Sequence, residues 1–325
     1  GCKAEDIYFT SGGTESNNLA LIGAALSCKK GHIITSVIEH PSIINTCRHI
    51  ESLGFEVTYA PVDSEGIVSI NEIKNAIKKN TILITIMHSN NETGVLQPVE
   101  DIGKLSKEHG ITFHIDAAQS IGKMNFSLTD PLIDMMTVVP HKFYGPKGIG
   151  ALYIKNGVNL KPILFGANHE KGLRPGTENV SGIVGFVKAC AIAKRDIKLR
   201  VSHTTELRDL LLNALKSQIV EIKLNGHATN RLPNTLNICI PNIISYELVD
   251  RIKEQVAIST GSACHSGKHT PSGVLKSMGL SDKEALSSVR LSVGKDNTKE
   301  EIQQAAEIIV NAVNELQKSN QTKKP

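Results

Sequence analysis

Short apolar runs alternate with helix-period segments along the first half of the chain. The runs fall at residues 7–10, 32–36, 57–62, 81–89, 112–116, 135–139 and 150–154, each of a length that suits one strand. Between several of them lie helical segments with readable ends. One covers residues 14–30 and stops at Gly31, and another follows Pro98 and ends at Gly110. A third opens with Ser69 and has Glu72 three residues on, the spacing of a capping box. This alternation predicts an α/β fold with a mostly parallel sheet covered on both faces.

The second half differs in texture. A long helical stretch at 180–217 leads into strand-like segments at 221–224, 235–240 and 289–293, mixed with helices at 246–254 and 298–317. The expected division is a large α/β domain over residues 1–196 and a smaller α+β domain over 197–325. The first strand arrives with no lead-in element, so an N-terminal piece is expected to be missing.

Composition adds exclusions. A chain of 325 residues with 40% hydrophobic and 21% charged positions suits a soluble globular protein of this layout. The net charge of +4 is spread out, and the basic end at Lys323 and Lys324 reads as a frayed terminus. No apolar run spans a bilayer and no signal peptide is visible, so neither nucleic acid nor a membrane is an expected partner. Six cysteines without a C-x-x-C pair read as free thiols in a reducing compartment such as the cytoplasm. Cys28, Cys190 and Cys239 sit in apolar patterns and read as core thiols.

In an open α/β sheet, ligands sit beyond the carboxyl ends of the strands. After the first strand comes Ser11-Gly12-Gly13-Thr14, which reads either as a phosphate cradle or as a tight strand–helix turn. Asp116, at the end of a strand, suits both a helix N-cap and a partner for a protonated ring nitrogen. Lys142 follows a strand in a Gly/Pro-rich loop. It is either a solvated lysine or an amine able to form a Schiff base, with His141 beside it as a phosphate donor. His40 is either structural or a ring that stacks on an aromatic cofactor and moves protons. Cys264 lies in a small-residue loop near His265 and Lys268, where a thiol can ionise and act as a nucleophile. A metal site from Cys264, His265 and His269 would pack three ligands into one loop with no fourth, so no metal is expected.

Taken in order, TSGGTESNN (10–18), Glu39-His40, NNETG (90–94), HIDAAQS (114–120), HKFYGPKGIG (141–150), RPGTEN (174–179), GSAC (261–264) and SVRLSVG (288–294) resemble the cysteine desulfurases and selenocysteine lyases of the class V aminotransferase family. The likeness covers nearly the whole chain. It implies a fold-type-I pyridoxal 5'-phosphate enzyme, a homodimer that takes sulfur from L-cysteine, leaves alanine, and passes a Cys264 persulfide to an acceptor or scaffold protein in iron–sulfur cluster assembly or thiolation. Selenide release from L-selenocysteine and a catalytically silent binding scaffold are the alternatives.

The resemblance also implies roles. Lys142 would link to the cofactor, Asp116 would pair with its ring nitrogen, and His40 would stack on the ring. Gln119 and Asn91 would bond its phenolic oxygen. Gly13, Thr14 and His141 would hold the phosphate, joined by Thr177 from the second subunit. Arg290, with Asn91, would bind the substrate carboxylate, and Cys264 would attack the sulfur. Val139 stands where many desulfurases have a phosphate-binding Ser, and Pro41 follows His40 where they often have Lys.

Overall fold

The computed structural model describes residues 1–126, 132–260, 264–265 and 268–322, without the side chains of 264–265, 268–269 and 320–322. The chain divides into two compact units. The first comprises Gly1–Val62, Ile67–Asn90 and Leu96–Ile197, the second Asp63–Gly66, Asn91–Val95 and Lys198–Pro325.

The first unit is built on a seven-stranded sheet: β1 (Ile7–Thr10), β2 (His32–Ser36), β3 (Glu56–Ala60), β4 (Thr81–Met87), β5 (Thr112–Asp116), β6 (Met135–Val138) and β7 (Gly150–Ile154). Their spatial order is β1-β7-β6-β5-β4-β2-β3. Neighbours from β3 to β6 pair in parallel, while β7 runs antiparallel to both β6 and β1. Every strand starts within one residue of the apolar run that predicted it.

The central strands read as unbroken apolar runs because both faces are covered. On one face Ile33, Leu83, Met135 and Leu152 pack with Leu19 and Leu21 of α1 (Gly13–Leu26) and Ile43, Cys47 and Ile50 of α2 (Pro41–Ser52). On the other, Ile34, Ile84, Ile86, Phe113 and Ile115 pack with Ile73 of α3 (Ile70–Ala76) and Ile102 and Leu105 of α4 (Val99–Glu108). Each such side chain contributes roughly 1.5–3 kcal/mol of burial free energy.

Three local findings differ from expectation. Helix α2 is not among the predicted elements, although Ile43, Cys47 and Ile50 recur at helical spacing; Pro41 stands at its first turn and His40 is its N-cap, whose ring accepts from Ser42 N–H. Helix α1 stops at Leu26, where the Ser27 hydroxyl donates back to Gly23 O at 2.9 Å. Cys28 and Cys190 are exposed, so of the described thiols Cys47 and Cys239 alone are buried.

The second unit takes the later part of α5 (Val180–Lys216) and an antiparallel sheet of β8 (Lys223–Leu224), β9 (Thr235–Cys239), β10 (Ser259–Thr260) and β13 (Ser288–Ser292) in the order β10-β13-β9-β8. A hairpin of β11 (Cys264–His265) and β12 (Lys268–His269) stands apart from it. Leu207, Leu211 and Leu215 of α5 share a core with Leu236, Ile238, Val289 and Leu291. Leu248 and Ile252 of α6 (Ser245–Ile252) and Ile309 and Val313 of α9 (Lys299–Thr322) complete it.

Helices α7 (Gly273–Ser277) and α8 (Asp282–Leu286) are too short for periodicity to reveal; Ser272 and Ser281 cap them. Helix α9 continues past residue 317, where a frayed tail was expected. Among the described residues no helix is long and apolar enough to cross a membrane.

Candidate active site

In the first unit the chemistry gathers just past the strand ends. Asp116 closes β5 and is 8% exposed. Its Oδ1 accepts from Ala118 N–H at 2.9 Å and its Oδ2 from Asn17 Nδ2 at 2.8 Å. Both donors are neutral. A buried carboxylate held only by neutral donors is suited to a cationic N–H partner, as a protonated ring nitrogen would be.

Asn17 links this carboxylate to the next strand loop. Its other N–H reaches Ser42 Oγ at 2.8 Å, and that hydroxyl lies 2.8 Å from His40 Nδ1. Because Nδ1 also accepts from Ser42 N–H at 3.1 Å, the neutral ring carries its proton on Nε2. Burial depresses the His40 pKa; the Asp116 carboxylate opposes that shift and the Lys142 ammonium adds to it. Both charges therefore lie within electrostatic reach of the ring.

Lys142 ends a 3-10 turn, Pro140–Lys142, directly after β6. Lys142 is exposed while its neighbours Pro140 and Phe143 are buried. Phe143 packs against Phe186 with ring centroids 6.2 Å apart, and a Cβ on Gly122 would come within 2.5 Å of its own. Tyr144 then adopts φ 71°, a left-handed conformation costing roughly 1–3 kcal/mol. The lysine thus stands on a rigid, strained support.

The loop ahead of α1 has room for an anion. A Cβ on Gly12 would meet nothing within 4 Å, and no side chain caps the helix start at that residue. These features suit a phosphate. A Cβ on Gly13 would approach Val139 Cγ1 to 3.0 Å, so the buried Val139 packs the glycine loop from below. Glu15 ties the loop down: Oε2 accepts from Ser11 N–H at 2.7 Å and Oε1 from Arg174 Nε at 2.8 Å. Thr14, His141 and Thr177 are exposed, and Gln119 is half-buried with Oε1 accepting from Lys123 at 2.7 Å.

Asn91, Arg290 and Cys264 belong to the second unit. Arg290 sits in β13 and donates Nη1 to Asn91 O at 2.9 Å. Cys264 opens the hairpin opposite His269 in register; its side chain lies outside the described residues.

Beneath the first-unit site lies a buried polar layer that sequence reasoning missed, since most of its partners are 23–48 residues apart. His114 bonds Thr85 and Thr137 through its two nitrogens, and burial pushes its pKa down to about 3. His88, 2.6 Å from Ser120 Oγ, is pushed down to about 4 by burial. Glu39 goes the other way. Burial raises it to about 8 against the opposing bonds from Ser36 and Met87 N–H, and Asp116 adds to the rise. Its Oε2 has no hydrogen-bond partner. At neutral pH Glu39 is therefore protonated.

Linkage fixes the signs. Unfolded Glu39 ionises near 4.5, so the fold is progressively disfavoured from pH 4.5 to about 8, by about 1.4 kcal/mol per unit. The two histidines would ionise near 6.5 when unfolded, so stability is also lost as pH falls below that value toward 3–4. Wild-type stability should peak near pH 6.5. Glu39→Gln should make the alkaline decline between pH 4.5 and about 8 shallower. Urea unfolding across pH checks this; an identical alkaline decline in both proteins contradicts it.

Comparison with known proteins places these features in context. Residues 1–305 match the family described as Aminotransferase class-V. A protein from Dictyoglomus turgidum named cysteine desulfurase IscS is 41% identical over 319 residues, 97% of this chain and 81% of that protein. One of the same name from Mannheimia succiniciproducens is 45% identical over 320 residues, covering 97% and 79%. A solved structure described as a NifS-like protein superposes with a TM-score of 0.90 at 35% identity, covering 96% of this chain and 83% of the other. Another, described as SspA in complex with cysteine, has a TM-score of 0.78 at 39% identity and covers 91% and 84%.

Proposed function

We propose that this chain, which belongs to the aminotransferase class-V family and to its cysteine desulfurases, binds pyridoxal 5'-phosphate and takes the sulfur from L-cysteine, leaving L-alanine and a persulfide on Cys264. The family depends on that cofactor. One observation carries its assignment here: Asn17 donates to the buried Asp116 carboxylate and to Ser42, whose hydroxyl lies 2.8 Å from the His40 ring, and Lys142 follows β6 of the same sheet.

When bound, the cofactor supplies a protonated ring that accepts electrons from the substrate carbon. Asp116, aimed by Asn17 and Ala118 N–H, would accept the ring N–H and keep it protonated. His40 would cover the ring face, and Gln119 and Asn91 would donate to its phenolic oxygen. Gly13, Thr14 and His141 would hold the phosphate, with the partner subunit's Thr177.

Arg290 has a planar fork suited to the substrate carboxylate. The Lys142 amine would carry the Cα proton, with His40 assisting. The Cys264 thiolate would then attack the γ-sulfur. A sulfur–sulfur bond forms, the Cβ–sulfur bond breaks, and the carbon skeleton keeps the electron pair and is protonated to alanine.

The persulfide would pass to an acceptor protein for iron–sulfur cluster assembly or thiolation. Val180, Val184 and Val187, at helical spacing on α5, are 66%, 64% and 57% exposed and would be covered by the second copy of a homodimer.

Cys264→Ser tests the reading. The variant should keep its cofactor absorbance but take up no sulfur when exposed to cysteine, whereas wild type should gain one sulfur atom on the peptide bearing residue 264. Wild-type rates of sulfur release from the variant would contradict the assignment. Measuring alanine from cysteine and from selenocysteine separates the desulfurase from a selenocysteine lyase.

A further inference from the structure

The glycine loop ahead of α1 is joined to a distant segment of the first unit by a forked ion pair. Glu15, in the first turn of α1, has both carboxylate oxygens engaged. Oε1 accepts from Arg174 Nε at 2.8 Å, and Oε2 accepts from Ser11 N–H at 2.7 Å and from Arg174 Nη2 at 3.3 Å. The Arg174 and Glu15 side chains are 22% and 13% exposed, so the pair is largely shielded from water. A guanidinium fork on a carboxylate is stronger and more directional than a single contact.

Arg174 is brought there by a segment with anchors of its own. Glu170 Oε1 accepts from Phe9 N–H at 3.2 Å. Lys171 Nζ donates to Glu5 O at 2.6 Å and stands 5.3 Å over the Tyr8 ring. Glu170 and Lys171 both take left-handed backbone, at φ 45° and 55°, a conformation that persists only where the surroundings dictate it. None of these attachments uses Glu15, so the segment holds its place beside β1 independently of the ion pair.

The pair bears on the anion site because of where Glu15 stands. A carboxylate in the first turn of a helix favours the N–H groups there, but it repels any second anion that seeks the same groups. Burial pushes the Glu15 pKa up, yet the bonds from Arg174 and Ser11 outweigh it and hold the carboxylate below its usual range. Glu15 is therefore charged at neutral pH, four residues from Ser11, whose N–H it holds, and next to the open space at Gly12.

We propose that Arg174 is a positioning residue for phosphate binding: it neutralises Glu15, so that this carboxylate fixes the glycine loop through Ser11 without repelling an anion seated there. The proposal rests on the cofactor reading of that loop.

The test compares pyridoxal 5'-phosphate with pyridoxal, which lacks the phosphate, as ligands of the cofactor-stripped full chain, with absorbance reporting the dissociation constants. Arg174→Gln leaves Glu15 charged and uncompensated. It should weaken the phosphate ester roughly tenfold and pyridoxal by less than about twofold. Adding Glu15→Gln to that variant removes the repulsion and should return the phosphate ester to within about threefold of wild type. A pair that only braces the fold gives the opposite result, since the second change repairs nothing. Arg174→Lys keeps the charge and should stay within about threefold for both ligands.

Equal weakening of the two ligands in Arg174→Gln, or no recovery in the double variant, overturns the proposal. So does a tenfold loss in Arg174→Lys, whatever the fate of Arg174→Gln. Wild-type protein that binds the phosphate ester no better than pyridoxal would instead overturn the reading of the glycine loop as a phosphate site.

Discussion

Lys142→Ala should reduce alanine formation from cysteine by about 10⁴-fold, the upper range for losing a positioned proton carrier, and should remove the covalent attachment of the cofactor. The side chain is exposed, and Pro140, Phe143 and Phe186 pack the turn that carries it. Folding stability should therefore change by less than about 0.5 kcal/mol. That contrast gives the experiment its force. Catalysis should collapse in a protein whose thermal unfolding is unchanged. Wild-type turnover, or an equal loss of fold and activity, would contradict the role of this amine.

Asp116→Asn should cost about 10²–10³-fold in the same reaction, comparable with removing one preorganised electrostatic partner. The change is nearly isosteric, and the fold can absorb it. An amide oxygen at this position can still accept from Asn17 Nδ2. Ala118 N–H keeps its acceptor. What the variant lacks is the negative charge that would keep a ring nitrogen protonated. Cofactor should still bind while turnover falls; an undiminished kcat in Asp116→Asn would show that the carboxylate charge is not used.

The large sheet is legible in the sequence because its central strands are buried on both faces and appear as unbroken apolar runs. Asp116 and Lys142 are legible for a related reason, since Asp116 ends such a run and Lys142 stands three residues past another. Helix α2 is not. Its buried Ile43, Cys47 and Ile50 do stand at helical spacing, but it lacks a capping box and starts from a histidine N-cap.

The partners that orient the site are also hidden. Asn17 meets Ser42 and Asp116 across 25 and 99 residues of chain, and Arg174 meets Glu15 across 159. No spacing rule reports such pairs. The exposure of Cys28 and Cys190 shows a further limit: Cys28 lies past the end of α1, and apolar neighbours in sequence do not say which face of α5 Cys190 occupies.

Borohydride reduction of the cofactor-loaded protein, followed by peptide mass analysis, bears most directly on the central assignment, because it traps the attachment point on a single residue. A pyridoxyl group on the peptide containing Lys142, absent in Lys142→Ala, is the predicted result. Attachment at Lys147 or another lysine, or none in a protein that nevertheless makes alanine from cysteine, would contradict it.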